Sequence, residues 1–277
     1  MTTVATRARV NIPGGLAGFL WLLVVLVPVY YVVITSLRSQ QGFFSANPLA
    51  PPADPTVDSY LLVLDNDFLR YLGNSVLVTG ATVAITVTVS LLAAYYVVRG
   101  EGRWAGLTYK VFLLGLAIPL QAVIIPVYYL ITKARLYDTL LAIILPSAAF
   151  AIPLTVVILA NFLRDVPSEL FESMRMDGAG HWRTVVSLVL PLVKPAVITV
   201  AVYDALTVWN GFLFPLILTQ SPDQRVLPLA LWSYQGQFTV NIPAVLAAVV
   251  LSTLPVLALY ILGRRQLVSG LTAGFGR

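Results

Sequence analysis

Residues that could do chemistry are scarce in this chain of 277 residues. It has no cysteine and a single histidine, His181, so neither a thiolate nucleophile nor a metal site of three or four converging ligands is expected. Asp177 stands four residues before His181, which would put an acid and a base on one helical face. A solvated or partner-facing pair is the simpler interpretation of that spacing. The sequence contains no Gly-rich phosphate loop ending in Lys and Ser or Thr, so we expect no catalytic or nucleotide site in this chain.

The segment 164–194, RDVPSELFESMRMDGAGHWRTVVSLVLPLVK, has the most informative pattern. Pro167 and Ser168 are typical of a helix start, and acidic residues just after them complement the positive end of a helix. Leu170 and Met174 lie four residues apart and share a predicted apolar face with Val166.

The same segment predicts a turn and a second helix. The glycines of 178–180 predict the end of the first helix, since Gly adopts the left-handed stop conformation readily. The second helix is expected to begin near His181 and to end in a corner at Leu190-Pro191. A short amphipathic helix of this kind fits a groove in a partner protein or lies on a membrane interface, and the pattern alone leaves both open.

The composition predicts a membrane protein, because 58% of the residues are hydrophobic and only 10% are charged. A bilayer core needs about 20 apolar residues in a helix. Six segments with at most one charge reach that length, and we predict transmembrane helices at 14–36, 72–98, 108–131, 139–163, 195–218 and 242–263. Prolines at 119, 126, 146 and 153 are candidate kink sites in the third and fourth spans.

The basic residues predict the orientation. With both termini in the cytoplasm, twelve of the seventeen Lys and Arg residues lie on the inner side, as the positive-inside rule prefers. The predicted parts are a cytoplasmic N-terminus (1–13), a first helix (14–36), an extracytoplasmic loop (37–71), a transmembrane domain (72–263) that contains the cytoplasmic segment 164–194, and a cytoplasmic tail (264–277). A cleaved signal peptide is a poorer interpretation of the first helix, because the apolar run is long and no convincing cleavage site follows it.

Asp204 is the ionisable residue that falls well inside a predicted span. A charge at mid-bilayer costs about 2.5–3.5 kcal/mol on insertion scales, so its side chain should face a partner group, water or a solute. Two explanations of Asp204 are open: it lies on a solute path, or it makes a structural hydrogen bond to a neighbouring helix. Aromatic and amide side chains also suit sugars, and they add these candidates for the solute path: Gln121, Tyr128, Trp209 and Asn210.

Three stretches of the sequence resemble the permease subunits of bacterial ABC importers. Glu172-Ser173-Met174, Asp177-Gly178-Ala179 and Leu190-Pro191 resemble their EAA loop, although Ser and Met stand where the family prefers Ala. The stretches 208–216 and 267–274 resemble a Trp-Asn segment and the tail of carbohydrate permeases, with Gly211 where that segment has an acid. The resemblance covers residues from about 70 to the end and is to the second permease subunit of maltose-type sugar importers.

This resemblance implies an all-α, MetI-like core of five helices with one extra N-terminal helix, in a bacterial plasma membrane. It implies a second, different permease, two ATPase subunits that use ATP and Mg, and an extracytoplasmic sugar-binding protein that faces the loop at 219–241. The chain itself would bind no cofactor and no nucleic acid. The residues that would couple it to the ATPase are Glu169, Leu170, Glu172, Ser173, Met174, Asp177, Gly178, Ala179, Leu190 and Pro191.

Other functions are weighed against this one. A permease for another small solute, such as an amino acid, a peptide or a polyol phosphate, is the nearest alternative. A stand-alone secondary carrier or channel is less favoured, because many carriers contain internal repeats and none is evident here. A membrane-embedded enzyme would need a converging catalytic set, which the sequence lacks.

Overall fold

The computed structural model describes residues 12–45, 47–234 and 240–273, with the backbone alone at 45, 233–234, 259 and 262–273. The regular elements among these residues are all helical. Most of the predicted cytoplasmic N-terminus, the end of the tail and the centre of the predicted loop 219–241 lie outside the described residues. The α-helices are α1 (Ile12–Ser36), α2 (Gln40–Ser45), α3 (Asp58–Asp65), α4 (Phe68–Arg99), α5 (Arg103–Leu116), α6 (Ile124–Lys133), α7 (Leu140–Arg164), α8 (Ser168–Met176), α9 (His181–Thr184), α10 (Leu190–Trp209), α11 (Leu213–Leu218), α12 (Leu227–Ala230) and α13 (Ile242–Ala273).

The chain divides into two compact units, of which the first holds the described residues up to Asn66 together with Tyr234–Leu251. Helix α1 of this unit exposes most of its apolar side chains, as a helix in lipid does. Its end is fixed by Arg38, a buried side chain whose Nη2 donates to the carbonyl oxygens of Asn47 (2.9 Å), Pro48 (3.2 Å) and Ala50. These bonds hold the Pro-rich segment that follows α2.

The second unit, Asp67–Ser233 with the residues from Ser252 onward, is built on the pair of helices α4 and α7. The buried face of α4 carries many small Ser and Thr side chains, and that of α7 carries three Ala residues among larger aliphatic ones. Small residues let helix backbones approach closely in a membrane, where packing drives association. The close approach extends to α5, where a Cβ on Gly115 would lie 3.1 Å from Cγ of Pro153 in α7.

Two apolar clusters lie at opposite ends of α4, which we call its Arg99 end and its Arg70 end. The cluster at the Arg99 end joins α4 and α7 to α8 and α10, and Leu159, Leu163, Val189 and Phe171 belong to it. The cluster at the Arg70 end joins α4 and α7 to α6 and α11. The helix α4 therefore connects the two apolar clusters.

The predicted third span, 108–131, is not one continuous helix but is broken at Pro119, one of its predicted kink sites. The chain bends by 96° between Arg103–Leu116 and Leu120–Lys133. Pro119 causes the break, because a proline disfavours the helical conformation of the residue before it. A short 3₁₀ segment, Leu120–Val123, then leads into α6.

The predicted corner at Leu190-Pro191 is wrong. One helical run of 29 residues extends from His181 to Trp209. The segment Val185–Val189 in its middle is π-helical, and this wider turn accommodates Pro191, which has no N–H to donate. The second helix of segment 164–194 is thus the first part of a membrane-length helix, and the expected span 195–218 ends at Trp209 before the short helix α11.

Four helices of the described residues are long and apolar enough to cross a membrane, or five if the bent pair is one span. They are Ile12–Ser36, Phe68–Arg99, Leu140–Arg164 and His181–Trp209, with α5 and α6 as the bent pair. The first part of α13, Ile242–Ala258, is a shorter apolar helix.

Candidate coupling site and membrane cavity

Helix α8 is a short exposed helix at the Arg99 end of α4. Glu169 in its first turn and Arg175 in its last turn complement the partial charges of the helix ends. Gly178 ends it at φ 71°. The N–H of Gly178 donates to Arg175 O (3.0 Å) and that of Ala179 to Met174 O (2.9 Å), the paired bonds of a Schellman motif.

An arginine from α4 holds α8 in place. The guanidinium carbon of Arg99 lies 3.7 Å from the ring centroid of Phe171, and its Nη2 donates to Val166 O at 2.9 Å. Phe171 is buried, at 7% exposure, in the cluster at the Arg99 end. A cation above an aromatic face is attractive, and the attraction grows as water is excluded.

The buried face of α8 differs from the predicted one. Leu170 is 39% exposed and is not part of the cluster, whereas Phe171, which was not among the predicted residues, is the anchor. Met174 is half-buried, as is Ala179 beyond the turn. The exposed candidates are Glu169, Glu172, Ser173, Asp177 and Gly178, so α8 presents a mostly polar surface.

His181 does not pair with Asp177. Its Nδ1 lies 3.1 Å from the hydroxyl of Tyr95 in α4, and the two rings meet edge to face at 6.0 Å. This contact ties the start of α9 to α4, as Arg99 ties α8. The spacing of Asp177 and His181 therefore marks no acid–base pair, and the contact of His181 with Tyr95 was not predicted.

A cavity of about 520 Å³ lies between α8, α9 and the end of α4. Side chains of both charges line it, including Arg99, Glu101, Glu172, Arg175 and His181. Arg175 and Glu101 approach to 3.8 Å across its exposed rim. Such a lining suits polar side chains of a partner protein. Leu190 and Pro191 lie farther along the helix that begins at His181, and both are exposed.

Asp204 is buried in α10, at 1% exposure, and accepts a hydrogen bond from Thr155 Oγ1 of α7 at 3.0 Å. The structural hydrogen bond weighed in the sequence analysis is present. Asp204 also lines a cavity of about 260 Å³, together with Gly211. Both explanations of Asp204 therefore have a physical basis.

The other solute-path candidates do not line that cavity. Gln121 is exposed in the 3₁₀ segment before α6, and the ring of Tyr128 packs against Tyr137 at 5.7 Å. Trp209 borders a separate small void beside Pro255. Asn210 caps α10 by donating to Leu206 O at 2.8 Å.

A polar network at the Arg70 end was not foreseen from the sequence. The carboxylate of Asp138 accepts bonds from the N–H groups of Gln220 (2.8 Å) and Ser221 (2.9 Å) and from the Ser221 hydroxyl. The pKa of Asp138 is held below its ordinary value by these three donors, which favour the charged carboxylate: the Gln220 N–H, the Ser221 hydroxyl and the Ser221 N–H. Asp138 has a left-handed φ of 61°, which Asp tolerates better than most residues, and no local pattern in the sequence indicates its role.

Helix α4 contributes the other half of this network. Asn74 Nδ2 donates to the carbonyl oxygens of Asp223 and Arg225, both at 2.8 Å, and Ser75 Oγ accepts from Leu227 N at 2.8 Å. Arg70 pairs with the Asp223 carboxylate. The segment 218–227 is therefore fixed at both of its ends.

No group of three His, Cys, Asp or Glu residues that could hold a metal ion occurs in the described part of the chain.

The sequence is similar to those of known transport proteins. Residues 86–268 match the family of the binding-protein-dependent transport system inner membrane component. A putative ABC transporter permease of Caldicellulosiruptor sp. is 37% identical over 254 residues, which cover 92% of each chain. The trehalose/maltose transport system permease of Thermococcus litoralis is 31% identical over 265 residues, 94% of each chain.

A solved structure has the same fold. A bacterial ABC transporter involved in the import of the acidic polysaccharide alginate superposes with a TM-score of 0.79 at 18% identity, over 95% of this chain and 99% of the other. The prediction of an all-helical, MetI-like permease fold is confirmed by this likeness. With the match over residues 86–268, the chain belongs to the family of binding-protein-dependent transport system inner membrane components, the permease subunits of ABC importers.

Proposed function

We propose that this chain is a permease subunit of an importer for sugars or oligosaccharides in the bacterial plasma membrane. It forms the solute path with a second, different permease, while two ATPase subunits supply energy and an extracytoplasmic binding protein delivers the solute. The similarity to a trehalose/maltose permease over 94% of the chain supports a sugar as the solute.

The proposed coupling site to the ATPase is the exposed surface of α8 and the turn at Gly178. The observation that carries this proposal is the attachment of α8, an exposed polar helix held by Arg99 and Phe171 at the end of a helix of 32 residues. A force on α8 is passed to α4 through that contact and along α4 toward the Arg70 end. Glu172, Ser173 and Asp177 would contact the ATPase, with these neighbours completing the surface: Glu169, Leu170, Met174, Ala179, Leu190 and Pro191.

The proposed topology has six spans and both termini in the cytoplasm, with the bent pair α5–α6 as one span and α13 as the last. This places the Arg99 end of α4 and helix α8 on the cytoplasmic side, where an ATPase works. The segment 218–227 and the Asp138 network then lie outside, toward the binding protein. The basic residues favour this orientation.

The proposed solute path passes Asp204, with these other candidates along it: Gln121, Tyr128, Trp209 and Asn210. Gln121 lies in the 3₁₀ segment before α6 and Tyr128 in α6, whereas the other three lie in α10 or at its end. The chain has no proposed cofactor of its own, because ATP and Mg are used by the partner ATPase.

Co-purification tests this function. The tagged chain, expressed in native membranes with its genomic neighbours and extracted in mild detergent, should bring with it a second permease and an ATPase. A sugar-loaded binding protein should raise ATP hydrolysis by the complex above the rate with the unloaded binding protein. Membranes with the untagged chain are the control. A chain that purifies alone, or as a homodimer without an ATPase, contradicts the proposal.

A further inference from the structure

The cavity beside Asp204 lies between α7, α10 and the chain that follows α10. Its volume of about 260 Å³ is near the lower end for small-molecule pockets, so it would hold about one sugar ring. Its lining is mostly apolar, with several aromatic rings and a few polar side chains, and it includes Ser147, Phe150, Tyr203, Asp204, Thr207 and Phe212. Aromatic faces with a few polar groups suit a sugar ring, whose faces are apolar and whose edge carries hydroxyls.

The Asp204 carboxylate has acceptor capacity to spare. An ionised carboxylate offers about four lone-pair sites, and Thr155 is its one hydrogen-bond donor among the described residues. The hydroxyl groups of a sugar could donate to the remaining sites. A buried carboxylate with a single neutral donor is costly in a membrane segment, so a ligand or water that completes its hydrogen bonds is favoured there.

The lining of this cavity carries no positive charge among the described residues, although the chain as a whole is basic, with a net charge of +5. The nearest counter-charge to Asp204 is therefore not within the cavity wall. An anionic solute would meet an uncompensated negative charge in surroundings of low polarity, where repulsion between like charges is strong. A neutral or cationic solute meets no such barrier.

From these contacts we infer that the Asp204 cavity admits neutral and cationic sugars and excludes anionic ones. The inference rests on the proposed function, and it deepens that function by naming the charge class of the solute. Asp204 acts as a specificity-determining residue, which rejects acidic sugars by repulsion and binds neutral ones through their hydroxyls.

The absence of cysteine allows a test that does not require the natural solute. Ser147→Cys places the one thiol of the chain in the wall of the cavity. The assembled importer is exposed at pH 8 to two methanethiosulfonates of similar size, one with a trimethylammonium group and one with a sulfonate. Mass spectrometry gives the rate at which each reagent modifies this chain. The rate with the cationic reagent is divided by the rate with the anionic one. This ratio is then divided by the same ratio for a free thiol in solution, which gives a corrected ratio.

We expect a corrected ratio that favours the cationic reagent by more than about a hundredfold. At an effective dielectric of about 20, one unit charge about 10 Å away attracts the cationic reagent and repels the anionic one, each by about 17-fold, and the two effects multiply in the ratio. The matched control is the same cysteine in an Asp204→Asn background. Asn has nearly the same size and its amide oxygen still accepts from Thr155, so the fold is kept while the charge is lost. The corrected ratio of this variant should fall to about one.

Two outcomes overturn the inference. If Ser147→Cys does not react in the assembled importer, the cavity is filled by the partner permease or closed to water. If Asp204→Asn leaves the ratio unchanged, Asp204 serves only to join α10 to α7.

A transport assay separates this inference from the proposed function. Neutral disaccharides and their acidic counterparts are offered with the binding protein, and stimulated ATP hydrolysis is measured. Stimulation by acidic sugars alone would leave a sugar importer in place and contradict the role of Asp204. If no sugar stimulates hydrolysis, the proposed function fails and the inference fails with it.

Discussion

Replacing Gly178 with Val should uncouple the permease from its ATPase. Gly178 has φ 71°, and a Cβ at this position would meet no atom within 4 Å, so the penalty comes from the backbone angle and not from a clash. An L-residue in the left-handed region costs about 1–2 kcal/mol, and β-branching places Val at the upper end of that range. A penalty of about 2 kcal/mol shifts the equilibrium between the native turn and other conformations about 30-fold away from the native turn.

The assay is ATP hydrolysis stimulated by a loaded binding protein, measured with uptake at matched membrane levels of the chain. Two control variants separate backbone strain from surface chemistry. Gly178→Asn should retain most of the activity, because Asn tolerates the left-handed conformation better than other non-Gly residues. Gly180→Ser should be near normal, since Gly180 has φ −72° and caps α9, where Ser is favoured. Normal uptake by Gly178→Val would refute the reasoning, and equal loss in Gly178→Val and Gly178→Asn would point to side-chain bulk at the interface.

Three further changes have expected results. Phe171→Ala should cost about 3 kcal/mol of local packing and remove the ring beneath Arg99. Stimulated ATP hydrolysis should then be lost while the membrane level of the chain persists. Unchanged stimulation would contradict the role of Phe171 as the anchor of α8. Because the pKa of Asp138 is lowered, its contribution to stability should be present above the ordinary value of 3.8 and lost as the pH falls below it. In detergent, the melting temperature of Asp138→Asn should therefore fall less steeply at acid pH than that of the unchanged protein. An equally steep fall would refute this. Ser75→Ala leaves the buried Leu227 N–H without its acceptor, so it should destabilise the chain by about 1–3 kcal/mol in the same assay; an unchanged melting temperature would show that the bond contributes nothing.

Local signals in the sequence were sufficient for the long helices and for the turn at Gly178. The uncharged stretches correspond to α1, α4 and α7, because a helix in lipid must satisfy its own backbone groups and needs a continuous apolar run. The start of α8 near Ser168 and its end before Gly178 follow from residue types that act within one turn. These features depend on neighbours in the chain.

Features that depend on distant partners were missed or wrong. Pro119 is a predicted kink site, but hydropathy does not report the size of a bend, which is 96° here. The choice of Phe171 over Leu170 as the anchor depends on Arg99, which is 72 residues earlier in the numbering. The role of Asp138 depends on backbone groups at 220 and 221, whose proximity no local pattern indicates.

Site-directed cross-linking from α8 tests the central claim most directly. Ser173 is exposed on α8, and Ser173→Cys would be the only thiol of the chain. With a short bifunctional reagent, we expect this thiol to cross-link to the ATPase subunit in the assembled importer, with a yield that changes when ATP is added. Gln220→Cys at the opposite end of the second unit should give no such product. A Ser173→Cys chain that co-purifies with an ATPase yet never cross-links to it, with or without ATP, would contradict the assignment of α8 as the coupling site.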